Sequence, residues 1–186
     1  MKANRTDELG AGEAVPQSPA SRRLSGFEYQ LMTLMFGFQR WVENCMAAAD
    51  VHGLGALDIL VLHAVNHRAR GRRLTDICMV LNIDDGYLIS YALKKLLAAG
   101  LIIAERKGRE RHFSTTEEGD RACFAYRGAR EAFLVQPFFI GETGQGELDA
   151  VAAFLSQMTS TYDQAGRNAT VATLDRPKAP PLRTKK

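Results

Sequence analysis

The stretch from Leu74 to Thr116 constrains the fold of this 186-residue chain more than any other, because it predicts two short helices, a tight turn and a hairpin. In the second helix the apolar residues recur at 3.6-residue spacing and share one face, which carries Ile89, Ala92, Leu93 and Leu96. Asp84 stands at the expected N-cap with Asp85 in the first turn, and Gly100 stands where the chain leaves the helix. This helix is expected to bury one side and to present the other to solvent.

The opposite face of the second helix is polar and aromatic. It carries Tyr87, Ser90, Tyr91, Lys94 and Lys95. Such side chains can contact the bases and phosphates of duplex DNA, with Ser90 and Tyr91 placed to read bases and the two lysines placed to hold phosphates. No Arg, Asn or Gln lies on this face to make a bidentate base contact, so the preferred DNA sequence cannot be read from it.

The segments on either side complete a winged helix-turn-helix. Thr75 is expected to cap the helix Leu74–Asn82 and is also a candidate DNA contact, and about three residues separate the two helices, as in helix-turn-helix motifs. After Gly100, LIIAER predicts a strand, KGRE a turn and RHFST the returning strand. Three basic residues of this hairpin are candidate DNA contacts, with Arg109 as the minor-groove probe: Lys107, Arg109 and Arg111.

This stretch resembles the MarR-type winged-helix transcription regulators. The resemblance lies in LTDICMVLNIDDGYLISYALKKLLAAGLI followed by HFSTTEEG, which match the family's Leu-Thr opening, its Leu-x-x-x-Gly-Leu helix end and its Thr-x-x-Gly. The wing tip KGRER lacks the family's usual Asp-x-Arg or Asp-Arg-Arg element. The resemblance implies dimerisation through paired first and last helices, and a possible small-molecule effector bound between that helical layer and the winged helix.

Positive charge is concentrated on the same stretch. Residues 68–112 hold ten lysines and arginines against five acidic residues, a formal charge of +5, whereas the rest of the chain holds 14 against 16, a charge of −2. Because neutralised phosphates supply most non-specific affinity, this distribution favours DNA as the partner. The loop RARGRR (68–73) leads into the first helix of the motif, and Arg72 and Arg73 are expected to contact phosphates there; the alternative is a solvated turn.

The chain divides into five expected segments. They are a disordered tail (1–24), an N-terminal dimerisation helix (25–53), the winged-helix domain (54–116), C-terminal dimerisation helices (117–166) and a disordered basic tail (167–186). The first long helix starts at the capping box Ser25-x-x-Glu28 and is apolar nearly all round, which a second subunit would cover. A later helix starts at the capping box Thr115-x-x-Glu118 and stops at Pro137.

The composition places the protein among soluble globular chains. The apolar fraction of 46% and charged fraction of 24% are ordinary for that class. The chain has no apolar run long enough to span a membrane, and its N-terminus lacks the apolar core of a secretory signal. Its three cysteines are odd in number and widely spaced, which favours a reducing compartment. We therefore expect a cytoplasmic protein with no membrane association.

No motif for catalysis or for a cofactor is present, because G-x-S-x-G, H-E-x-x-H, P-loop and G-x-G-x-x-G patterns are all missing. We expect neither an enzyme nor a cofactor. His63 and His67 are spaced to chelate a metal, but they lack further ligands nearby and are interpreted as a polar helix face. The cysteines are interpreted as inert small hydrophobes, although some MarR-like regulators sense oxidants with a thiol.

Together these features predict a mainly α-helical protein with a small β-hairpin, in which a winged helix-turn-helix joins a helical dimerisation layer. The expected function is that of a sequence-specific regulator of transcription, most simply a repressor, which binds duplex DNA as a homodimer on a pseudo-palindrome. A winged-helix module that binds protein and an architectural protein that binds DNA with little sequence preference remain open. Salt dependence and the ratio of specific to non-specific affinity separate these three functions.

Overall fold

The computed structural model describes residues 18–67, 71–138 and 145–174, and these ranges are mostly helical with one two-stranded antiparallel sheet. The elements in chain order are α1 (Pro19–Ala48), α2 (Ala56–Asn66), α3 (Leu74–Leu81), α4 (Gly86–Ala98), β1 (Ile102–Lys107), β2 (Glu110–Thr115), α5 (Glu117–Arg130), a π-helical segment (Glu131–Val135), α6 (Gln136–Phe138) and α7 (Gln145–Leu174). The predicted mainly helical fold with a small hairpin is confirmed. The chain forms two compact units, which divide between Ala132 and Phe133.

Helix α1 begins earlier than predicted. Ser18 is its N-cap, with a hydroxyl that accepts a hydrogen bond from the Ser21 amide at 3.0 Å, and Pro19 presets the helical φ angle at the first position. The predicted start at Ser25 is therefore wrong, and residues 19–24 belong to the helix rather than to a tail. Toward its C-terminal end α1 packs on α2 and α5 through buried Val42, Cys45 and Met46.

Helix α2 lies at the centre of the first unit, since it packs on α1, α3, α4 and α5. Its fully buried side chains include Ile59, Val61 and Leu62. The His63 ring packs edge-on against the Tyr126 ring of α5, with centroids 4.4 Å apart. Burial, and then the charge of Arg127, lower the pKa of His63, so the ring is neutral at neutral pH. His63 thus belongs to the packing between α2 and α5 rather than to a polar face, whereas His67 is exposed.

Helix α3 is capped by its own first turn. Arg73 occupies the N-cap, and the Asp76 carboxylate accepts a hydrogen bond from the Arg73 amide at 3.1 Å. Thr75 therefore does not cap the helix, because the acidic residue one position later supplies the acceptor. The helix ends at Asn82, which adopts a left-handed conformation with φ at 51°.

Helix α4 is capped by Asp85 and not, as predicted, by Asp84. The Asp85 carboxylate accepts a hydrogen bond from the Tyr87 amide at 2.9 Å, which satisfies one of the amides that a helix start leaves unpaired. At the other end Gly100 has a φ of 70°, in the left-handed region predicted for it.

The wing is a short antiparallel hairpin in the predicted place. Strands β1 and β2 pair up to Lys107 opposite Glu110, so the loop holds only Gly108 and Arg109. Gly108 has a φ of 66°, which suits the tight two-residue turns of hairpins.

A third backbone segment lies beside the hairpin. Arg72 and Phe113 exchange two backbone hydrogen bonds of 2.9 and 2.8 Å, so the chain just before α3 pairs with β2. A Cβ at Gly71 would lie 3.0 Å from the Ser114 hydroxyl oxygen and 3.1 Å from the His112 Cβ, so the two segments approach each other closely here. The wing is thereby fixed to the start of α3.

The junction between α4 and α5 is held by one threonine. Thr116, and not Thr115 as predicted, caps α5: its hydroxyl accepts the Gly119 amide at 3.1 Å and donates to the Gly100 carbonyl at 2.7 Å. Its own amide donates to the Leu101 carbonyl at 3.1 Å. The end of α4 and the start of α5 are therefore connected directly.

The helices after the winged domain extend beyond their predicted ends. A π-helical segment continues the chain after Arg130, and Pro137 lies inside α6 instead of stopping the helix before it. The predicted loop that starts at Pro137 falls largely on residues 139–144, outside the described ranges. Helix α7 includes residues 167–174, which were predicted to belong to the tail, and 175–186 lie outside the described ranges.

Candidate nucleic-acid interface

Helix α4 separates a buried face from an exposed one, as its spacing predicts. The buried face comprises Ile89, Ala92, Leu93 and Leu96, each at most 2% exposed. On the other side Tyr87 is 88% exposed and Tyr91 is 71% exposed, Lys94 is exposed and Ser90 is half-buried. Large aromatic side chains held in solvent on a rigid helix are available to a partner.

Five of the predicted DNA contacts surround one groove of about 340 Å³ between α3, α4 and β2. They are Arg73, Thr75, Ser90, Lys94 and Arg111. The apolar side chains that line the same groove are Leu74, Leu93, Leu97 and Phe113. The Arg111 guanidinium lies 5.6 Å from the centroid of the Phe113 ring, a cation–π contact that keeps its charge at the groove. The groove therefore combines hydroxyl groups and cations with an apolar lining.

The remaining wing residues lie at the tip of the hairpin. Lys107 is 3.7 Å from Glu105, with both side chains about 60% exposed, so this ion pair is weak and leaves Lys107 available to another anion. Arg109 is exposed in the turn itself. The tip thus presents two cations, separate from the groove lining.

Arg73 is bound by two carboxylates. Its guanidinium lies 2.8 Å from an Asp76 oxygen and 3.1 Å from a Glu110 oxygen. The hydrogen bonds to Asp76 and then Glu110 raise the pKa of Arg73, and Arg73 lowers the pKa of Asp76 to about 2. This cluster joins the start of α3 to the wing, and a phosphate contact by Arg73 stays a prediction.

Arg72 is not a freely solvated side chain either. Its Nε atom is buried and has no hydrogen-bond partner within the described ranges, while its backbone pairs with Phe113. The first three residues of the predicted RARGRR contact, 68–70, fall outside the described ranges. Arg72 therefore contributes to the attachment of the wing, and a phosphate contact by its side chain stays a prediction.

Lys94 and Lys95 differ in their surroundings. The Lys95 ammonium lies 2.7 Å from the Asp58 carboxylate of α2, and the side chains are 39% and 10% exposed respectively. The hydrogen bond to Asp58 raises the pKa of Lys95. Lys94 is exposed and has no carboxylate partner among the residues that the structure describes. This pairing connects α4 to α2, and the phosphate contact of Lys95 stays a prediction.

The sequence of residues 54–119 matches a family described as a winged helix DNA-binding domain. A MarR transcriptional regulator from Methanosarcina mazei Go1 is similar in structure, with a TM-score of 0.58 at 14% identity over 73% of this chain and 91% of that one. The transcriptional repressor CouR of Rhodococcus jostii RHA1, bound to a 23-mer DNA duplex, has a TM-score of 0.59 at 19% identity over 79% and 99%. CouR bound to p-coumaroyl-CoA has a TM-score of 0.52 at 16% identity over 68% and 88%.

This chain has the winged-helix fold of the MarR-type regulators. No curated protein matches its sequence. The predicted resemblance is thus confirmed for the fold, and the DNA-binding domain match covers all of the elements from α2 to the start of α5.

Two acidic residues of this MarR-type fold were missed by sequence reasoning. Asp58 and Glu110 each bind a basic residue that lies 37 positions away along the chain, Lys95 and Arg73 respectively. The sequence signal for Asp58 is its place in the first turn of α2, which suits a carboxylate, but no local pattern shows which lysine it meets.

Two of the three thiols of this chain are poor nucleophiles. Cys45 and Cys123 are buried, and burial raises both pKa values, that of Cys123 to about 11. Cys78, within α3, is half-buried. None of the helices in the described ranges has the length and hydrophobicity that a membrane span requires.

Proposed function

We propose that this protein is a cytoplasmic, sequence-specific regulator of transcription that binds duplex DNA as a homodimer, most simply as a repressor. The observation that carries the proposal is the exposed face of α4, where Tyr87, Tyr91 and Lys94 stand in solvent next to a groove edged by hydroxyls and cations. The match to a winged helix DNA-binding domain and the similarity to DNA-bound CouR support it.

Helix α4 would enter the major groove. Ser90 and Tyr91 would contact base edges, whereas Lys94 and the hydroxyl of Thr75 would contact phosphates on either side. Lysine and tyrosine contacts of this kind position a helix more than they specify a base, so discrimination would also depend on DNA shape.

The wing would contact the adjacent backbone and minor groove. Arg109 at the turn is the proposed minor-groove probe, with Lys107 and Arg111 on neighbouring phosphates. Because the loop has only two residues, the probe would make a shallow contact.

The proposed dimer would bury the apolar surfaces that each unit exposes. In α1 large apolar side chains remain 45–62% exposed: Tyr29, Met32, Leu34, Met35, Phe36 and Phe38. In α7 the same is true of Leu148, Val151 and Phe154, which are 48–51% exposed. Surfaces of this kind usually mark an interface. A two-fold axis through such an interface would place two copies of α4 in successive major grooves of a pseudo-palindrome.

A small-molecule effector is part of the proposal, since CouR is known in complexes with DNA and with p-coumaroyl-CoA. A ligand that binds more tightly when α4 is in an orientation unsuited to DNA would lower the affinity for the operator. The size of that decrease is limited by the ratio of the ligand's affinities for the two orientations. No residue is assigned to this role.

The test is selection of binding sites from a random duplex library, followed by fluorescence anisotropy titration of the selected site at two salt concentrations. A palindromic site that binds about a thousandfold more tightly than random DNA would support a dimeric regulator. Salt-sensitive binding without an enriched sequence would favour the architectural protein. No binding at low salt, with and without candidate effectors, would leave the protein-binding module.

A further inference from the structure

A series of polar contacts runs from α1 to α4 through the start of α2. Glu43 of α1 accepts a hydrogen bond from the Ala56 amide at 2.9 Å. Asp58 accepts one from the Gly55 amide at 2.9 Å, and the same carboxylate oxygen accepts the Lys95 ammonium at 2.7 Å. The Asp58 carboxylate therefore connects the first turn of α2 to α4.

Burial of the Asp58 carboxylate has an unfavourable desolvation free energy. Counted over the whole residue, Asp58 is 7% exposed, and it is the one charged residue classed as buried among the residues that the structure describes. A buried carboxylate is tolerated only when its partners replace water, and here an amide and an ammonium do so. An apolar side chain in this position would have no such desolvation penalty. We therefore interpret the charge as fixing the position of its partners.

The geometry in question is the orientation of α4 on α2. The apolar face of α4 contributes non-directional burial, which permits small rotations of a helix, whereas an ion pair with a hydrogen bond fixes one point of it. Lys95 lies one residue after Lys94 and one turn after Tyr91, so its tether acts on the part of α4 proposed to meet DNA.

We propose that Asp58 is a positioning residue for DNA recognition: through Lys95 it fixes the orientation of α4 and thereby sets which half-site spacing the dimer accepts. The proposal rests on the proposed function. In a dimer the two copies of α4 must reach both half-sites together, so a loosened tether lowers discrimination between spacings more than it lowers affinity for any duplex.

A different role for Lys95 predicts a different effect of removing the Asp58 charge on DNA affinity. If Lys95 were a phosphate contact that Asp58 merely screens, then removing the Asp58 charge would free a cation. Binding to all duplexes would then become tighter and more salt-sensitive.

The experiment compares Asp58→Asn and Lys95→Met with Lys94→Met as the matched control and Lys95→Arg as the conservative variant. Affinities are measured for the site selected by the wild type, for that site with one base pair inserted between its halves, and for random duplex. Circular dichroism and thermal unfolding establish that each variant is folded at the assay temperature. Should Asp58→Asn fail to fold, Lys95→Met carries the test, because Lys95 is partly exposed.

The expected result is a fall of about tenfold in the preference for the correct spacing in Asp58→Asn and in Lys95→Met, with random-duplex affinity nearly unchanged. A variant that combines Asp58→Asn with Lys95→Met should have a spacing preference no lower than that of either single variant, since both substitutions remove the same contact. Lys95→Arg should retain the preference, and Lys94→Met should weaken all three duplexes alike.

Two results would overturn the inference. One is tighter binding and a steeper salt dependence in Asp58→Asn; the other is an unchanged spacing preference in both Asp58→Asn and Lys95→Met. A wild type that selects no site would instead refute the proposed function, and the inference with it.

Discussion

Replacing Gly119 by alanine tests how closely α5 approaches the end of α4. An added Cβ at Gly119 would lie 2.0 Å from the Leu101 carbonyl oxygen and 3.0 Å from the carbonyl carbon. Both are backbone atoms that cannot rotate away, so the start of α5 would have to move. The same carbonyl accepts the Thr116 amide at 3.1 Å, and the Thr116 hydroxyl caps the helix at Gly119, so the movement disturbs both hydrogen bonds.

The magnitude follows from these two effects. Overpacking of a well-packed site costs about 1–3 kcal/mol. Partial loss of a threonine N-cap costs about 1 kcal/mol more. We therefore expect Gly119→Ala to lower the free energy of unfolding by roughly 2–4 kcal/mol, a large part of the total for a domain of this size.

Gly128 provides a matched control in the same helix. A Cβ there would have no atom within 4 Å, so Gly128→Ala should raise the free energy of unfolding by about 0.5–1 kcal/mol through helix propensity. Both variants are measured by urea unfolding monitored by far-UV circular dichroism, at one protein concentration. The same chemical substitution should thus give opposite signs at two positions.

A Gly119→Ala variant as stable as the wild type would contradict this prediction, because the approach to Leu101 would then not require glycine. Equal destabilisation at Gly119 and Gly128 would show that the loss arises from the helix as a whole and not from this contact.

The remaining predictions concern DNA contacts, thiols and pH. Lys94→Ala should weaken binding to every duplex and reduce the salt slope by about one, as an anisotropy salt series would show; Tyr91→Ala should instead change the bases enriched in selection. In a thiol titration of the folded protein Cys78 should react fast and the two buried cysteines slowly, and fast reaction of all cysteines would contradict the burial described. Because Arg73 lowers the pKa of Asp76 from 3.8 to about 2, this carboxylate stabilises the fold above the higher value and loses that contribution as pH falls toward the lower one. The stability difference between wild type and Asp76→Asn should therefore shrink across this range in unfolding curves, and a constant difference would count against the ion pair.

The buried face of α4 and the wing could be predicted from sequence, because each depends on local periodicity and on turn residues. Ile89 and Leu96 are fully buried as their spacing requires. Gly100 and Gly108 both have positive φ angles, where turns need them. These patterns depend on residues that are close in sequence, so they can be recognised without knowledge of the rest of the fold.

Cap positions were misplaced by one residue where two suitable residues adjoin. Asp84 and Asp85 are chemically equivalent as caps, and so are Thr115 and Thr116. The choice in the second pair is made by Gly100, whose carbonyl accepts the Thr116 hydroxyl from another part of the chain. Local sequence carries no information on that contact.

Charge pairing was the least predictable feature. Lys94 and Lys95 are adjacent and identical in type, yet only Lys95 is bound by Asp58, which lies 37 residues earlier. Which of two neighbouring cations remains free for a ligand is decided by the rotation of one helix on another. That rotation is a property of the packed core and not of the segment.

The placement of β2 between β1 and Arg72 makes the wing a modular part of the molecule. The strand is paired on both sides at its base, while an added Cβ at Gly108 in the two-residue loop would meet no atom within 4 Å. Extra residues inserted there would extend the hairpin outward, and adding two to each strand would preserve the side of the hairpin on which each side chain lies. The reach of the turn could then be increased in steps of about 7 Å without altering any helix.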